Sequence, residues 1–155
     1  MQKIEKLFQS VALVQNVEAG STRWFLRWQP YQKCWQFVVG ERLERESFRE
    51  TVLREVAWQL NLNRKTDFLV SNMAQLSMEF TDRETADKSD RQVAVAFYQV
   101  QVYRRSALDL LNATPTGCWV SAAEICAGET TDGQLIQPQI VGWLNQWQII
   151  HPWQE

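Results

Sequence analysis

An apolar stripe with sharply defined ends constrains this chain more than any other stretch. Phe48, Val52, Val56 and Leu60 recur every fourth residue, with Leu53 alongside. That spacing predicts an amphipathic helix whose apolar face packs on a sheet. Its start is marked by Ser47, with Glu50 three residues later in the arrangement of a capping box. Its end is marked by Asn61, a residue that tolerates the left-handed conformation at a helix C-terminus nearly as well as glycine. Upstream, Cys34 to Val39 is β-rich, with Trp35, Phe37 and Val39 on one face, and Gly40 breaks the run.

The flanking sequence predicts strands. Residues 10–19 begin with alternating apolar positions, and a turn at Gly20-Ser21-Thr22 leads into Trp24–Trp28. There Trp24, Leu26 and Trp28 share one face, while Phe25 and Arg27 share the other. Residues 68–80 and 91–103 read as two more strands, separated by the polar loop 81–90. From Val93 to Val100 both faces are mostly apolar, which predicts a central strand covered on both sides. A short helix is expected at 106–112, a strand at Trp119-Val120, a second capping box at Ser121 and Glu124, and a last helix at 137–148. No linker or repeat interrupts the 155 residues, so a single domain over 1–155 is expected.

Composition narrows the chemistry. A net charge of −2 gives no electrostatic reason for strong nucleic-acid or membrane binding. Residues 133–154 lack Asp, Glu, Lys and Arg, but their glutamines and prolines argue against a lipid-embedded helix. Met1–Lys6 has no apolar signal-peptide core, and a cytoplasmic location is expected. Cys34, Cys118 and Cys126 show no C-x-x-C spacing and are expected as free thiols. His151 is the single histidine, which argues against a Ser-His-Asp triad or a multi-histidine metal centre. Any metal would be held mainly by oxygen, which favours magnesium, manganese or calcium.

Residues 40–62 resemble the Nudix box, G-x5-E-x7-R-E-U-x-E-E-x-G-U with U a bulky aliphatic residue. Gly40, Glu46, Arg54, Glu55, Val56 and Leu62 match it. The paired glutamates are replaced by Trp58 and Gln59, and the following glycine by Asn61. The strand and helix order, including Trp119-Val120-Ser121-x-x-Glu124-Ile125, resembles the same family over most of the chain. The resemblance implies an α+β fold, an α/β/α sandwich with a mixed β-sheet flanked by helices. It also implies hydrolysis of a nucleoside diphosphate linked to another group, with magnesium or manganese as cofactor.

In that family the metal is held by the glutamate after the arginine and by the glutamate pair three and four residues on. These positions are neighbours on one helix face. Carried over, Glu55 is the first candidate catalytic and metal residue. Gln59 offers a neutral carbonyl as the second. Trp58 carries no metal-ligating atom; it either fills the former metal cavity, the simpler expectation, or offers a ring for stacking a ligand. Gly40, Glu46 and Arg54 are expected in structural roles, the last two as an ion pair. A downstream acidic ligand is sought in Glu84, with Glu79, Asp82, Asp87 and Asp90 around it. Trp24, Trp28 and Trp35 lie where the family often holds a nucleobase, though core packing or a subunit interface, including a homodimer, explains them as well.

Three functions follow. One is a Nudix-fold protein with a degenerate box that binds a nucleotide or related diphosphate with weak or no hydrolysis. Another is an active magnesium-dependent hydrolase. The third is a non-catalytic protein interaction module.

Overall fold

The computed structural model describes residues 5–82 and 91–154. Eight strands form one mixed sheet: β1 (Glu5–Glu18), β2 (Ser21–Gln29), β3 (Cys34–Gln36), β4 (Val38–Glu41), β5 (Phe68–Val70), β6 (Leu76–Asp82), β7 (Arg91–Val102) and β8 (Gly117–Val120). Four helices accompany it: α1 (Phe48–Leu60), α2 (Arg105–Asn112), α3 (Ala122–Ala127) and α4 (Pro138–Gln146).

The two faces of the sheet carry separate cores. On one face Val52, Val56 and Leu60 of α1 and Ala107 and Leu111 of α2 pack against Val14, Phe25, Ala96, Tyr98 and Val100. On the other, Ile125 of α3 and Ile140, Trp143 and Leu144 of α4 pack against Val11, Leu13, Trp24, Leu26, Val95 and Phe97. Alternation along a strand delivers neighbours to opposite faces. It explains why Phe25 and Leu26, or Ala96 and Phe97, enter different cores. The result is an α/β/α sandwich, as the family resemblance implies.

Strand β1 organises the sheet. It runs parallel to β7 from Glu5↔Arg91 to Gln15↔Gln101. Its other edge is shared by two antiparallel partners, β4 along Gln9–Ala12 and β2 along Gln15–Glu18. Past Trp24, β2 leaves β1 and pairs with β8 and β3 instead. The sheet therefore forks between β2 and β4, and the functional candidates gather at this fork.

Several boundaries differ from the sequence reading for tertiary reasons. β1 begins at Glu5 rather than residue 10, because β7 supplies a partner along that length. The turn after it centres on Ala19 and Gly20, both at positive φ, as a two-residue hairpin requires. The expected strand from Cys34 to Val39 is interrupted at Phe37, where the chain passes from pairing with β2 to pairing with β1. The expected strand 68–80 is likewise divided. Between β5 and β6, the Ser71 and Gln75 amides donate to the Gln99 and Phe97 carbonyls at 2.9 and 2.8 Å.

Helix α1 is capped as its sequence predicts. The Glu50 amide donates to Ser47 Oγ at 3.0 Å, and the Ser47 amide donates to Glu50 Oε1 at 3.4 Å. Asn61 takes φ 55° at the C-cap. Ser47→Ala is expected to lower global stability by about 1 kcal/mol, read as a lower urea midpoint with unchanged m-value.

Candidate functional site

The loop between β4 and α1 is held by Glu46. Its carboxylate lies against Arg54 in a two-pronged contact, Nε to Oε2 at 2.9 Å and Nη2 to Oε1 at 3.0 Å. Oε1 also accepts from Thr51 Oγ1 at 2.6 Å and from the Leu43 amide at 3.2 Å. The Arg54 hydrogen bond, helped by those from Thr51 and Leu43, outweighs burial and holds the Glu46 carboxyl down at about 2. The same partner raises Arg54 further above its ordinary value. Arg54 Nη2 also donates to the Glu41 carbonyl at 3.0 Å, tying the helix to the end of β4.

Gly40 serves this arrangement by close approach. A Cβ on Gly40 would collide with the Glu55 side chain and press on Thr51 at 3.1 Å. Its absence lets α1 lie directly on β4.

The candidate chemical residues form a continuous chain of contacts. The Glu55 side chain is only 13% exposed. One of its oxygens faces Arg54 Nη1, and the other accepts from Gln59 Nε2 at 2.7 Å. Gln59 Nε2 also donates to the Val39 carbonyl at 3.1 Å, while Gln59 Oε1 accepts from Arg27 Nη1 at 3.2 Å. The amide orientation is dictated by these neighbours, since a carbonyl and a carboxylate only accept and a guanidinium only donates. Gln59 thus crosses the fork in the sheet, joining β4 through Val39 and β2 through Arg27.

Magnesium or manganese fits this donor set poorly. Hard cations need several free oxygen ligands. Both Glu55 oxygens already accept hydrogen bonds, and the Gln59 carbonyl faces a fixed positive charge. Among the described residues no group of three or more His, Cys, Asp or Glu could hold a metal ion.

The remaining candidates are dispersed. Trp58 is 79% exposed. It leaves any cavity beside Glu55 unfilled, contrary to the simpler expectation, and its ring is presented to solvent. Glu84, Asp87 and Asp90 lie outside the described residues. Glu79 pairs with Lys6 at 3.5 Å on the β6–β7 side. Trp24 lies in the core on the sheet face opposite α1, and Trp28 and Trp35 meet edge to face at 5.3 Å. The three cysteines are free thiols, with burial the main reason Cys118 is pushed up to about 12.

Arg27 is the residue that motif reading passes over. Its signal was present, because alternation through Trp24–Trp28 puts an arginine beside Phe25 on the face that α1 covers. A charge on such a face needs a partner or a purpose.

Neither a protein-family model nor a curated protein matches the sequence. Solved structures do resemble the fold. An Ap4A hydrolase from C. elegans matches with a TM-score of 0.57 at 11% identity, covering 95% of this chain and 98% of that one. A NUDIX hydrolase, so described provisionally, from Listeria monocytogenes matches with a TM-score of 0.56 at 15% identity, covering 92% and 94%. NrtR from Shewanella oneidensis, whose structure with a 27mer DNA is also known, matches with a TM-score of 0.59 at 14% identity; the match covers 92% of this chain and 63% of that longer one. At these identities the likeness shows architecture: the chain has the Nudix fold.

Proposed function

We propose that this protein binds a nucleotide or a related diphosphate and hydrolyses it weakly or not at all. The observation that carries this reading is the bonding of Glu55 and Gln59. The carboxylate retained on the metal-binding face of α1 is neutralised by Arg54 and accepts from Gln59, and the Gln59 carbonyl is turned to Arg27. A cation recruited here would have to displace a guanidinium and break these hydrogen bonds. The Nudix fold of the structural neighbours, one of them named for Ap4A hydrolysis, supports a nucleotide-related ligand.

When bound, magnesium would supply Lewis-acid stabilisation of developing phosphate charge. The residues of this chain instead hold a fixed positive group, Arg54, at the face where that charge would arise. Without metal-assisted chemistry they bind and orient rather than cleave.

The test is magnesium- and manganese-dependent release of phosphate or monophosphate from a panel of nucleoside diphosphate derivatives. Loss of the carboxylate pair is expected to depress turnover by about a hundred- to ten-thousandfold relative to an intact box. Robust turnover that disappears in Glu55→Gln would instead establish an active hydrolase.

The exposed Trp58 ring favours one second reading, a protein interaction surface. Sedimentation of the wild type and Trp58→Ala separates it: self-association lost in the variant would support a homodimer through this ring.

A further inference from the structure

A cavity of about 220 Å³ opens beside the Arg27–Gln59 contact, between β2 and the last turns of α1 and α2. Phe25, Leu60, Leu110 and Leu111 supply apolar walls. Its volume is below the range of about 300–1,000 Å³ typical of drug-sized ligands, so it suits one flat ring system rather than a whole nucleotide.

The electrostatics decide which part of a nucleotide belongs there. Arg27 contributes one positive charge. The C-terminal turns of α1 and α2 both line the cavity, through Leu60 and Asn61 and through Leu110 and Leu111. Each helix terminus carries roughly half a negative charge, although at α2 the Leu110 and Leu111 carbonyls already accept from Thr114. Two such ends offset one guanidinium, leaving a cavity with little net attraction for a phosphate. It is instead of mixed sign, with the Arg27 guanidinium and two helix C-termini among its walls. Thr114 adds an acceptor, because its hydroxyl proton is directed to the Leu110 carbonyl at 2.9 Å.

We propose that this cavity receives a 6-oxopurine base, guanine or hypoxanthine, with Arg27 reading its O6 and N7 edge. A guanidinium has five N–H donors and no acceptor. Among the described residues Arg27 makes one side-chain hydrogen bond, to the Gln59 carbonyl, so further donors remain for a ligand. Guanine offers two adjacent acceptors on that edge, the commonest partner of a bidentate arginine. Adenine replaces O6 with an amino group, which sets donor against donor. The N1–H of a 6-oxopurine is a donor suited to the Thr114 hydroxyl oxygen, whose own proton is committed to the Leu110 carbonyl. The inference rests on the nucleotide-binding reading and gives it a base preference.

The test is titration calorimetry in EDTA with GDP, IDP and ADP. GDP and IDP are expected to bind alike, and ADP roughly ten- to a hundredfold more weakly. In Arg27→Gln the GDP affinity is expected to fall to that of ADP, and an unchanged far-UV circular dichroism spectrum and cooperative thermal melt report an intact fold. Equal wild-type affinities for GDP and ADP, or a guanine preference that survives Arg27→Gln, would overturn the base assignment and leave the nucleotide-binding reading standing. Absence of binding by all three nucleotides would overturn both.

Discussion

Glu46→Gln is expected to destabilise the protein by about 3 kcal/mol at pH 7, and the loss should shrink in acid. The Glu46 carboxyl is lowered from 4.5 to about 2 in the folded state. A carboxyl lowered in this way contributes stability that is fully present above its unfolded value. That contribution is lost as pH falls through the folded value. The difference between wild type and variant should therefore be constant above pH ~5 and vanish progressively towards pH ~2. The group is well placed for a large effect, since its side chain is 14% exposed and solvent screening is small. An amide cannot reproduce the contacts, because its NH2 would meet a donor on Arg54 Nε or on Nη2, Thr51 and Leu43. Urea unfolding of both proteins across pH 2.5–7 measures this. A constant difference throughout would mean that Glu46 contributes by packing rather than by charge.

Restoring carboxylates with Trp58→Glu and Gln59→Glu together is expected to make stability depend on magnesium. The first change alone is nearly neutral, because Trp58 is exposed. The second removes the amide donors that serve Val39 and Glu55 and places a second carboxylate beside Glu55. Like-charge repulsion and an unsatisfied carbonyl should cost about 2–4 kcal/mol in EDTA. A divalent cation relieves both charges at once. At magnesium concentrations a hundredfold above Kd the gain is about 2.7 kcal/mol, a rise in Tm of roughly 5–10 °C. Arg27 competes, since it would pair with a carboxylate at position 59. Adding Arg27→Gln should thus tighten magnesium binding further. Thermal melts with and without magnesium decide the matter: a double variant indifferent to the metal would show that more than two side chains separate this site from a metal centre.

Much of the architecture was legible because its causes are local. Ser47, Glu50 and Asn61 delimit α1 by chemistry contained within the segment, and both faces of β7 were readable from alternation alone. The splitting of residues 34–39 and 68–80 was not, because both breaks are properties of the assembled sheet: at Phe37 the chain changes partner from β2 to β1, and between Val70 opposite Val100 and Leu76 opposite Phe97 it bulges away from its one partner β7. The site divides similarly. Spacing placed Glu55 and Gln59 on one helix face, and the motif paired Glu46 of the preceding loop with Arg54. It gave no indication that Gln59 would direct its carbonyl at Arg27, a residue 32 positions away on another element. Nor did it indicate that the Trp58 ring would be left facing solvent.

The parallel pairing of β1 with β7 has a kinetic consequence. Gln15 and Gln101, side chains in contact across these strands, are separated by 86 residues. Strand β1 leaves a ribosome well before β7 and therefore lacks its parallel neighbour until β7 has been made. Closing a loop of that length precedes the pairing that repays its entropy, which slows folding relative to chains dominated by local contacts. During synthesis the earliest available partners of β1 are β2 and β4, both on its opposite edge. The capped helix α1 follows close behind and can cover one face of that early meander. Until β7 arrives, the other edge of β1 presents open backbone donors and acceptors, so the nascent chain is most exposed to mispairing on that edge.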